Sequence, residues 1–382
     1  MRGCPQWRMF GKTERRISGK TERLKWMKQT GIEYVDSSWN PIRGCKAKSE
    51  GCANCWAERI AGRFSIKQQK GSKDEEEDGR FGPRPGIMSS IAKIDAQGQP
   101  RWTGRVQWVG DKFFDPLVWK DKGESRRILV CSMSDLFYPK VGHEWRDAIF
   151  GLISLCAEHT FLVQTKYAAE MRQYFAERGV WKRIEKSARS SYKEYWGATC
   201  PSKGHLQGPL ANTWFGVSVE NQAAADERIP ILQDMSAVFR YVDVQPLLGE
   251  ITLEPFMQGE ELDWVIVGGE SGMNGRPCDP AWVRRIKQEC KDYHIPMFMH
   301  QWGAWLPVTS EQLKEHAPVD LDAVLTHGAD ETGTLYVFPS GEMAVNLTRS
   351  DSKSMKASME KFGALLDGED WKQIPEVELE EK

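Results

Sequence analysis

Trp214-Phe-Gly-Val-Ser-Val-Glu-Asn-Gln222 sets the pattern from which the fold is read. Residues 214–217 are a short apolar run, continuous rather than alternating, as a strand buried on both faces requires. Polar Ser218, Glu220 and Asn221 follow at once, and residues 222–235 read as a helix. Equivalent runs rich in β-branched and aromatic residues occur at 128–132, 161–165, 241–244, 264–267 and 297–299. Helical segments separate most of them, for example 144–158 and 280–293, the latter with Trp282, Ile286 and Cys290 in period. With a further strand at 32–35 the sequence holds about seven βα units, which predicts an α/β fold, a complete or partial (βα) TIM-like barrel.

Polar residues fall just after these runs: Ser132, Ser134 and Asp135; Lys166; Ser218, Glu220 and Asn221; Asp243 and Gln245; Gly268, Gly269, Glu270 and Ser271; His300 and Gln301. In barrels the carboxyl ends of the strands build the active site, so one shared register marks these as candidate lining residues. Each has an ordinary alternative. Ser132, Ser134, Asp135, Glu220 and Asn221 can cap helices, Lys166 can be a surface lysine, and Gly268-Gly269 a tight turn. The recurrence carries the reading, not any single residue.

Residues 39–63, Trp-Asn-Pro-Ile-Arg-Gly-Cys-Lys-Ala-Lys-Ser-Glu-Gly-Cys-Ala-Asn-Cys-Trp-Ala-Glu-Arg-Ile-Ala-Gly-Arg, place Cys45, Cys52 and Cys55 on a loop after the first strand. A helix starts near Cys55, with Trp56, Ile60 and Phe64 on one face. Gly44 and Gly51 precede the first two cysteines as turn residues do. Thiolate-rich sites select zinc or iron–sulfur clusters. A structural zinc wants four ligands, and the next Cys or His residues are Cys131 and His143. A [4Fe–4S] cluster on three cysteines keeps one iron open. Spacing alone does not name the metal, and a zinc loop with a distant fourth ligand remains an alternative.

The chain of 382 residues has a net charge of -2 that hides local asymmetry. Residues 1–30 form a basic arm, suited to nucleic-acid phosphate or simply solvated. Its repeated Gly-Lys-Thr-Glu-Arg, at 11–15 and 19–23, lacks the frame of a P-loop. Residues 31–305 form the expected barrel, interrupted by an acidic insert at 67–85 whose composition predicts a mobile loop. Residues 306–382 read as an appendage, with a strand pair at 334–338 and 343–347 folding over the barrel mouth and an acidic tail. Nine unevenly spaced cysteines without a secretory signal predict a reducing compartment. No apolar run is long enough for a membrane span, so a soluble, cytoplasmic chain with no membrane partner is expected. Trp39, Trp56, Trp214, Trp264, Trp302 and Trp305 stand near candidate site residues and read mostly as core or rim packing, with a minority able to stack on a base.

Several blocks in order resemble the phage-encoded three-cysteine-motif family, treated as radical-SAM-like. They are Trp-Asn-Pro at 39–41, Gly-Cys-x2-Cys-aromatic-Ala at 51–57, Ser-Met-Ser-Asp-Leu-Phe at 132–137 and Thr-Lys at 165–166. Gly-Val-Ser-Val-Glu-Asn-Gln at 216–222, Pro-Leu-Leu-Gly at 246–249, Val-Gly-Gly-Glu-Ser-Gly at 267–272, Gln-Trp-Gly-x-Trp at 301–305 and Leu-Leu-Asp-Gly-x-x-Trp at 365–371 complete the set. The resemblance implies a [4Fe–4S] cluster on Cys45, Cys52 and Cys55 whose open iron binds S-adenosyl-L-methionine, and an external electron donor. Reductive cleavage gives a 5′-deoxyadenosyl radical that abstracts an unactivated hydrogen. The strand-end register then places Ser132, Ser134, Asp135, Ser218, Glu220, Asn221, Gly268, Gly269 and Ser271 around that cofactor, with Trp56 beside Cys55 although the family's adenine packing does not carry over to it. Lys166 and Glu270 are the implied catalytic residues, and Arg276, Gln245, His300 and Gln301 meet the substrate. Lys166, with Arg276 second, is the expected cation for a substrate carboxylate.

Within this family the closest likeness implies an isomerase. It converts 5-Nα-glycinylthymidine to 5-Cα-glycinylthymidine in phage DNA, a step toward 5-aminoethyl-deoxyuridine that protects the viral genome from host restriction. Modified viral DNA and other phage hypermodification enzymes are then the partners, and the host cytoplasm the location. The alternatives are a radical-SAM repair or modification enzyme acting on another base, and a zinc-stabilised DNA-binding protein. Three departures from the pattern stand out. The cysteine spacing is not Cys-x3-Cys-x2-Cys; Asn54 replaces the aromatic before the third cysteine; and Gln245-Pro246 and His300-Gln301-Trp302 stand where many relatives read Glu-Pro and Lys-Gln-Trp.

Overall fold

Seven short strands, β1 (Ser37–Trp39), β6 (Arg127–Val130), β7 (Thr160–Thr165), β8 (Thr213–Ser218), β9 (Phe239–Val244), β10 (Trp264–Gly268) and β11 (Met297–Gln301), pair side by side in that order, every pair parallel. The first and last strands do not pair with each other, so the sheet is an open, curled, partial (β/α) barrel. The computed structural model describes residues 31–69, 90–201, 206, 208–259, 262–272, 274–309, 335–346, 366–367 and 369–375. The expected basic arm, residues 70–85 of the insert and much of the appendage lie outside the described residues.

The connections carry helices. α1 (Trp56–Gln69) and α2 (Asp115–Asp121) lie between β1 and β6, α3 (His143–Ser154) between β6 and β7, and α4 (Ala168–Ala176) with α5 (Val180–Trp196) between β7 and β8. α6 (Gln222–Gln233), α7 (Glu254–Met257) and α8 (Pro280–Asp292) complete the crossovers. Two short antiparallel pairs, β2 (Ile42–Arg43) with β5 (Gln107–Trp108) and β3 (Ala92–Ile94) with β4 (Pro100–Trp102), decorate the first connection. No helix among the described residues is long and apolar enough to cross a membrane.

Period-two alternation sends successive strand residues to two buried faces, so the strand runs are largely apolar. Outward residues such as Phe161, Val163, Phe215 and Val265 join the core beneath the helices. Inward residues Leu129, Leu162, Trp214, Tyr241, Trp264 and Phe298 fill the barrel itself. Gly216 is part of that fit, because a Cβ there would overlap the Tyr241 ring. One step further along each strand the inward positions turn polar, at Gln164, Ser218, Asp243 and His300. Trp39, Trp214, Trp264, Trp302 and Trp305 are buried, as expected of core packing, whereas Trp56 is 38% exposed.

Six of the seven predicted strands lie within one or two residues of the observed ones; the first does not. Residues 32–35 form a turn, closed by Val35 N donating to Ile32 O at 3.3 Å, and β1 follows at Ser37–Trp39. Tyr34 is apolar in context because it plugs the barrel floor, edge-on to Trp264 at 5.9 Å and Phe298 at 5.6 Å. Burial was legible there, strand pairing was not. Helix α1 also departs from its predicted face: Ala57, Ala61 and Ser65 are buried while Ile60 and Phe64 are half-buried. The β3–β4 hairpin approaches so closely that Gly62 meets Pro100, and only small residues fit that contact.

Beyond the barrel, β12 (Trp305–Val308), β13 (Leu335–Val337) and β14 (Met343–Asn346) make a three-stranded antiparallel sheet in the order β12-β14-β13. The last described segment, residues 369–375, belongs to the appendage. It runs antiparallel along the free edge of β11, with Met299 N donating to Trp371 O at 2.6 Å and Gln373 N to Met297 O at 3.1 Å. Lys372 Nζ then reaches Glu33 at 2.7 Å, bridging the gap toward the segment before β1. An exposed strand edge is a pairing liability, and this segment covers it.

Candidate active site

At the carboxyl ends of the strands lies a cavity of about 270 Å³, lined by residues from the ends of the seven parallel strands or from the loops that follow them. Cys45, Cys52 and Cys55 stand on one wall. Their loop is stitched to its neighbours at each turn. Gly44, at φ +97°, has the left-handed conformation that glycine tolerates, and a Cβ there would overlap the Arg105 carbonyl oxygen. Its N–H donates to Met133 O at 3.0 Å, and Ser134 Oγ donates to Gly44 O at 2.6 Å. Residues Glu50–Cys52 make one 3-10 turn, where a Cβ on Gly51 would sit 2.7 Å from Lys166 Nζ. Asn54 Nδ2 donates to Glu270 Oε2 at 2.9 Å and to Asn274 O at 2.8 Å, anchoring the end of the loop across the cavity mouth.

Burial pushes the Cys45 thiol well up, and nearby Asp135, Cys55 and Cys52 add to it. Burial does the same to Cys55. Among the described residues no three His, Cys, Asp or Glu side chains are drawn together tightly enough to hold a metal ion. The donor set nonetheless suits a soft cationic centre: three thiols line the same cavity, and their mutual charge repulsion as thiolates is what a bound soft metal would relieve.

The loop after β6 starts at Cys131, whose φ of +59° is left-handed for a residue with a side chain. This turn delivers Asp135, which accepts hydrogen bonds from Thr165 Oγ1 at 2.6 Å, Lys166 N at 2.9 Å and Phe137 N at 2.9 Å. Burial lifts its carboxyl above the ordinary range although these three bonds oppose the rise. Asp135 therefore ties β6 to β7. Ser132 Oγ exchanges contacts with the Asn40 side chain at 3.1 Å, which binds the same loop to β1.

Lys166 Nζ donates to Glu220 Oε2 at 3.1 Å and Ser49 Oγ at 3.2 Å. Glu220 also meets Arg228 Nη1 at 3.1 Å, and Arg228 donates to Ser218 O at 2.6 Å. Burial alone would raise the Glu220 pKa, but Lys166, Ser49 and Arg228 together hold it below its ordinary value. Two cations thus share one buried carboxylate, Arg228 also reaching Glu227 at 3.7 Å, and Lys166 turns its charge to the cavity wall. Arg276 is different. It grips Glu270 through Nε at 2.8 Å, Nη2 at 2.6 Å and its own N–H at 2.9 Å, so its charge is matched within the protein. Glu270 is held low by Arg276 and Asn54 despite its burial.

The cavity floor is a polar row laid over the aromatic core. Gln164 Nε2 donates to Ser218 Oγ at 2.7 Å and to Asp243 Oδ2, while Tyr241 Oη donates to Gln164 Oε1 at 3.5 Å. Burial raises the Asp243 pKa to about 7, against the opposing pull of Gln164, Lys166 and Gln245. Its Oδ1 and the neighbouring Gln245 Nε2 lack a well-formed hydrogen bond. His300 Nδ1 lies 2.9 Å from Gln245 Oε1, and burial lowers the imidazole pKa to about 4. Neutral His300 then donates Nδ1–H to the amide oxygen.

Of the predicted residues, Cys45, Cys52, Cys55, Trp56, Ser132, Ser134, Asp135, Lys166, Ser218, Gln245, Gly269, Glu270, Ser271, His300 and Gln301 line this one cavity. Glu220, Asn221, Gly268 and Arg276 do not. Glu220 lies behind Lys166 and Arg276 behind Glu270. Asn221 caps α6 by accepting from Ala224 N at 2.9 Å, and Gly268 leaves room for the Gln245 side chain. Sequence reading missed Gln164, Tyr34 and Arg228, and took Asn54 only as a departure. Gln164 had a signal, being a polar residue inside an apolar strand run; Arg228, alone on a helix, had none.

No curated protein matches the chain. A solved structure of a point mutant of spore photoproduct lyase matches at 11% identity, covering 91% of this chain and 84% of that one, with a TM-score of 0.35. A likeness so slight carries no conclusion about activity. Residues 29–375 match the model of DUF5131, described as a protein of unknown function, and the chain belongs to that family.

Proposed function

We propose that this chain is a radical-SAM-type enzyme that modifies a nucleic-acid substrate and, more specifically, that it isomerises 5-Nα-glycinylthymidine to 5-Cα-glycinylthymidine in DNA. The observation that carries the class is the wall of three thiols, Cys45, Cys52 and Cys55, facing a cavity at the carboxyl ends of a partial barrel. The specific reaction draws its support from the sequence blocks that resemble the three-cysteine-motif family. In this reading the three cysteines hold a [4Fe–4S] cluster, and with S-adenosyl-L-methionine it supplies the hydrogen-abstracting chemistry that the protein's own side chains lack.

The chain's residues position and insulate. Lys166, backed by Glu220 and Arg228, presents its positive charge for a substrate carboxylate. Glu270 is clamped by Arg276 and Asn54 and serves as a fixed acceptor, not a mobile base. Leu129, Val130 and Cys131 give an apolar side to the cavity that keeps water from a reactive centre. Gln164, Asp243, Gln245 and His300 offer directed polar groups at its floor.

Protein purified without oxygen tests the class. Iron and sulfide near four per chain, with an electron paramagnetic resonance spectrum perturbed by S-adenosyl-L-methionine, is the expected result; zinc without iron removes the radical reading. Nucleoside mass spectrometry after incubation with DNA containing glycinylthymidine tests the reaction. An unchanged glycinylthymidine pool alongside 5′-deoxyadenosine production keeps the class and sinks the isomerisation.

A further inference from the structure

Three cations gather beside the cysteine loop, outside the cavity and without a role in it. The chain between β4 and β5 crosses the start of that loop, where Gly104 has a φ of +72° and accepts a hydrogen bond from Tyr138 Oη at 3.1 Å. From the point where a Gly104 Cβ would stand, Lys46 Cδ is 3.8 Å away and Lys140 Nζ 3.9 Å away, so the two lysines converge over one glycine. Arg105 follows directly, its carbonyl oxygen packed against Gly44. All three side chains are exposed, and none makes an ion pair or side-chain hydrogen bond among the described residues. Other cations around the barrel have carboxylate partners, among them Arg101 with Asp95, Arg276 with Glu270, and Arg284 with Glu342 and Asp367. Like charges brought together without a counter-charge repel, and an anion bound from solution relieves that.

Two further features place this cluster at the mouth. Lys46 adjoins Cys45, a lining residue, and the Arg105 carbonyl packs against Gly44, which directly precedes that cysteine. Trp56, beside Cys55, lines the same cavity, yet it is exposed and has no aromatic or cationic partner among the described residues. An exposed indole and unpaired cations bordering the same cysteine loop are a combination that stacks a base and holds its backbone.

We infer that Lys46, Arg105 and Lys140 form a phosphate-binding rim that seats a nucleic-acid strand at the cavity mouth, with Trp56 as a stacking platform for a base. This deepens the nucleic-acid reading above and rests on it. The test is fluorescence anisotropy of the full chain with a labelled single-stranded DNA oligonucleotide across a salt series. Each phosphate contact contributes roughly 0.7 to the slope of log affinity against log salt, so the triple variant K46A/R105A/K140A should lose about 2 from that slope. It should also bind at least tenfold more weakly at low salt. Trp56→Ala should weaken binding about tenfold at every salt concentration and leave the slope unchanged. A triple variant that binds with wild-type affinity and slope overturns the rim while leaving nucleic-acid binding intact. Failure of the wild-type chain to bind DNA at all overturns the nucleic-acid reading itself. Iron content, measured in parallel, reads the radical-SAM assignment independently of either result.

Discussion

Asp243→Asn isolates the cost of the most deeply buried carboxyl at the cavity floor. Burial moves its pKa from 3.8 to about 7. At about 1.4 kcal/mol per unit, holding it ionised at high pH costs the folded state about 4 kcal/mol. The raised value means that the native chain keeps a proton which the unfolded chain releases between about pH 4 and pH 7. Stability from this group is therefore full below about pH 4, falls as pH rises through that window, and is level above it. Between pH 5 and pH 8 the loss is about 3 kcal/mol, since the first unit of the window lies below the range. Asparagine can still accept from Gln164 through its oxygen, while its amide meets Gln245 and adds a cost that does not vary with pH. Urea unfolding of metal-free protein at pH 5, 6, 7 and 8 gives two stability profiles, and their difference removes every other titrating group. The wild-type curve should fall relative to the variant by about 3 kcal/mol and flatten above pH 7. Parallel curves would refute the argument, showing that water or a rearranged Lys166 solvates the carboxylate.

Arg228→Met leaves Glu220 with Lys166 as its cation and should cost about 3 to 5 kcal/mol, because Arg228 and Glu220 are both fully buried. Lys166→Met should cost less, as its side chain is 15% exposed and Arg228 remains; unfolding midpoints in the reverse order would contradict the geometry. Gly44→Ala imposes a left-handed penalty of about 1 to 2 kcal/mol plus overlap with the Arg105 carbonyl. Gly98→Ala shares the positive φ but meets nothing within 4 Å, so it should cost only the conformational part. Thermal melts compare the two, and only the Gly44 variant should also lose iron uptake.

Legibility in the sequence followed the physical signal available. Apolar runs such as 214–217 and 264–267 were read correctly because a strand covered on both faces is apolar on both. The same criterion failed at residues 32–35, where Tyr34 is buried as a plug against Trp264 and Phe298 and not as part of a sheet. Periodicity misplaced the buried face of α1 for a related reason. It ranks large residues, whereas the close approach of Pro100 to Gly62 makes Ala57 and Ala61 the contact. The β3–β4 hairpin was invisible because three-residue strands carry too little pattern.

At the site, residue type and register identified the lining but not the charge balance. Lys166 and Arg276 look equivalent in sequence, two cations placed after barrel strands. The structure separates them by their partners: Lys166 shares Glu220 with Arg228, which also reaches Glu227, while Arg276 has Glu270 to itself. Arg228 decides this from ten residues beyond Ser218, on the helix that packs behind the strand, where a linear reading has no reason to look. The exchanged positions behave the same way. Gln245 and His300 stand 55 residues apart, and each alone reads as a loss of charge, yet they meet at 2.9 Å. A neutral amide facing an imidazole held neutral by burial is one compensated pair, so restoring a glutamate at 245 alone should leave an unmatched charge beside His300 unless the ring takes up a proton. Pairings of this kind are fixed by the closing of the sheet, and that is why they appear only once the strands are in place.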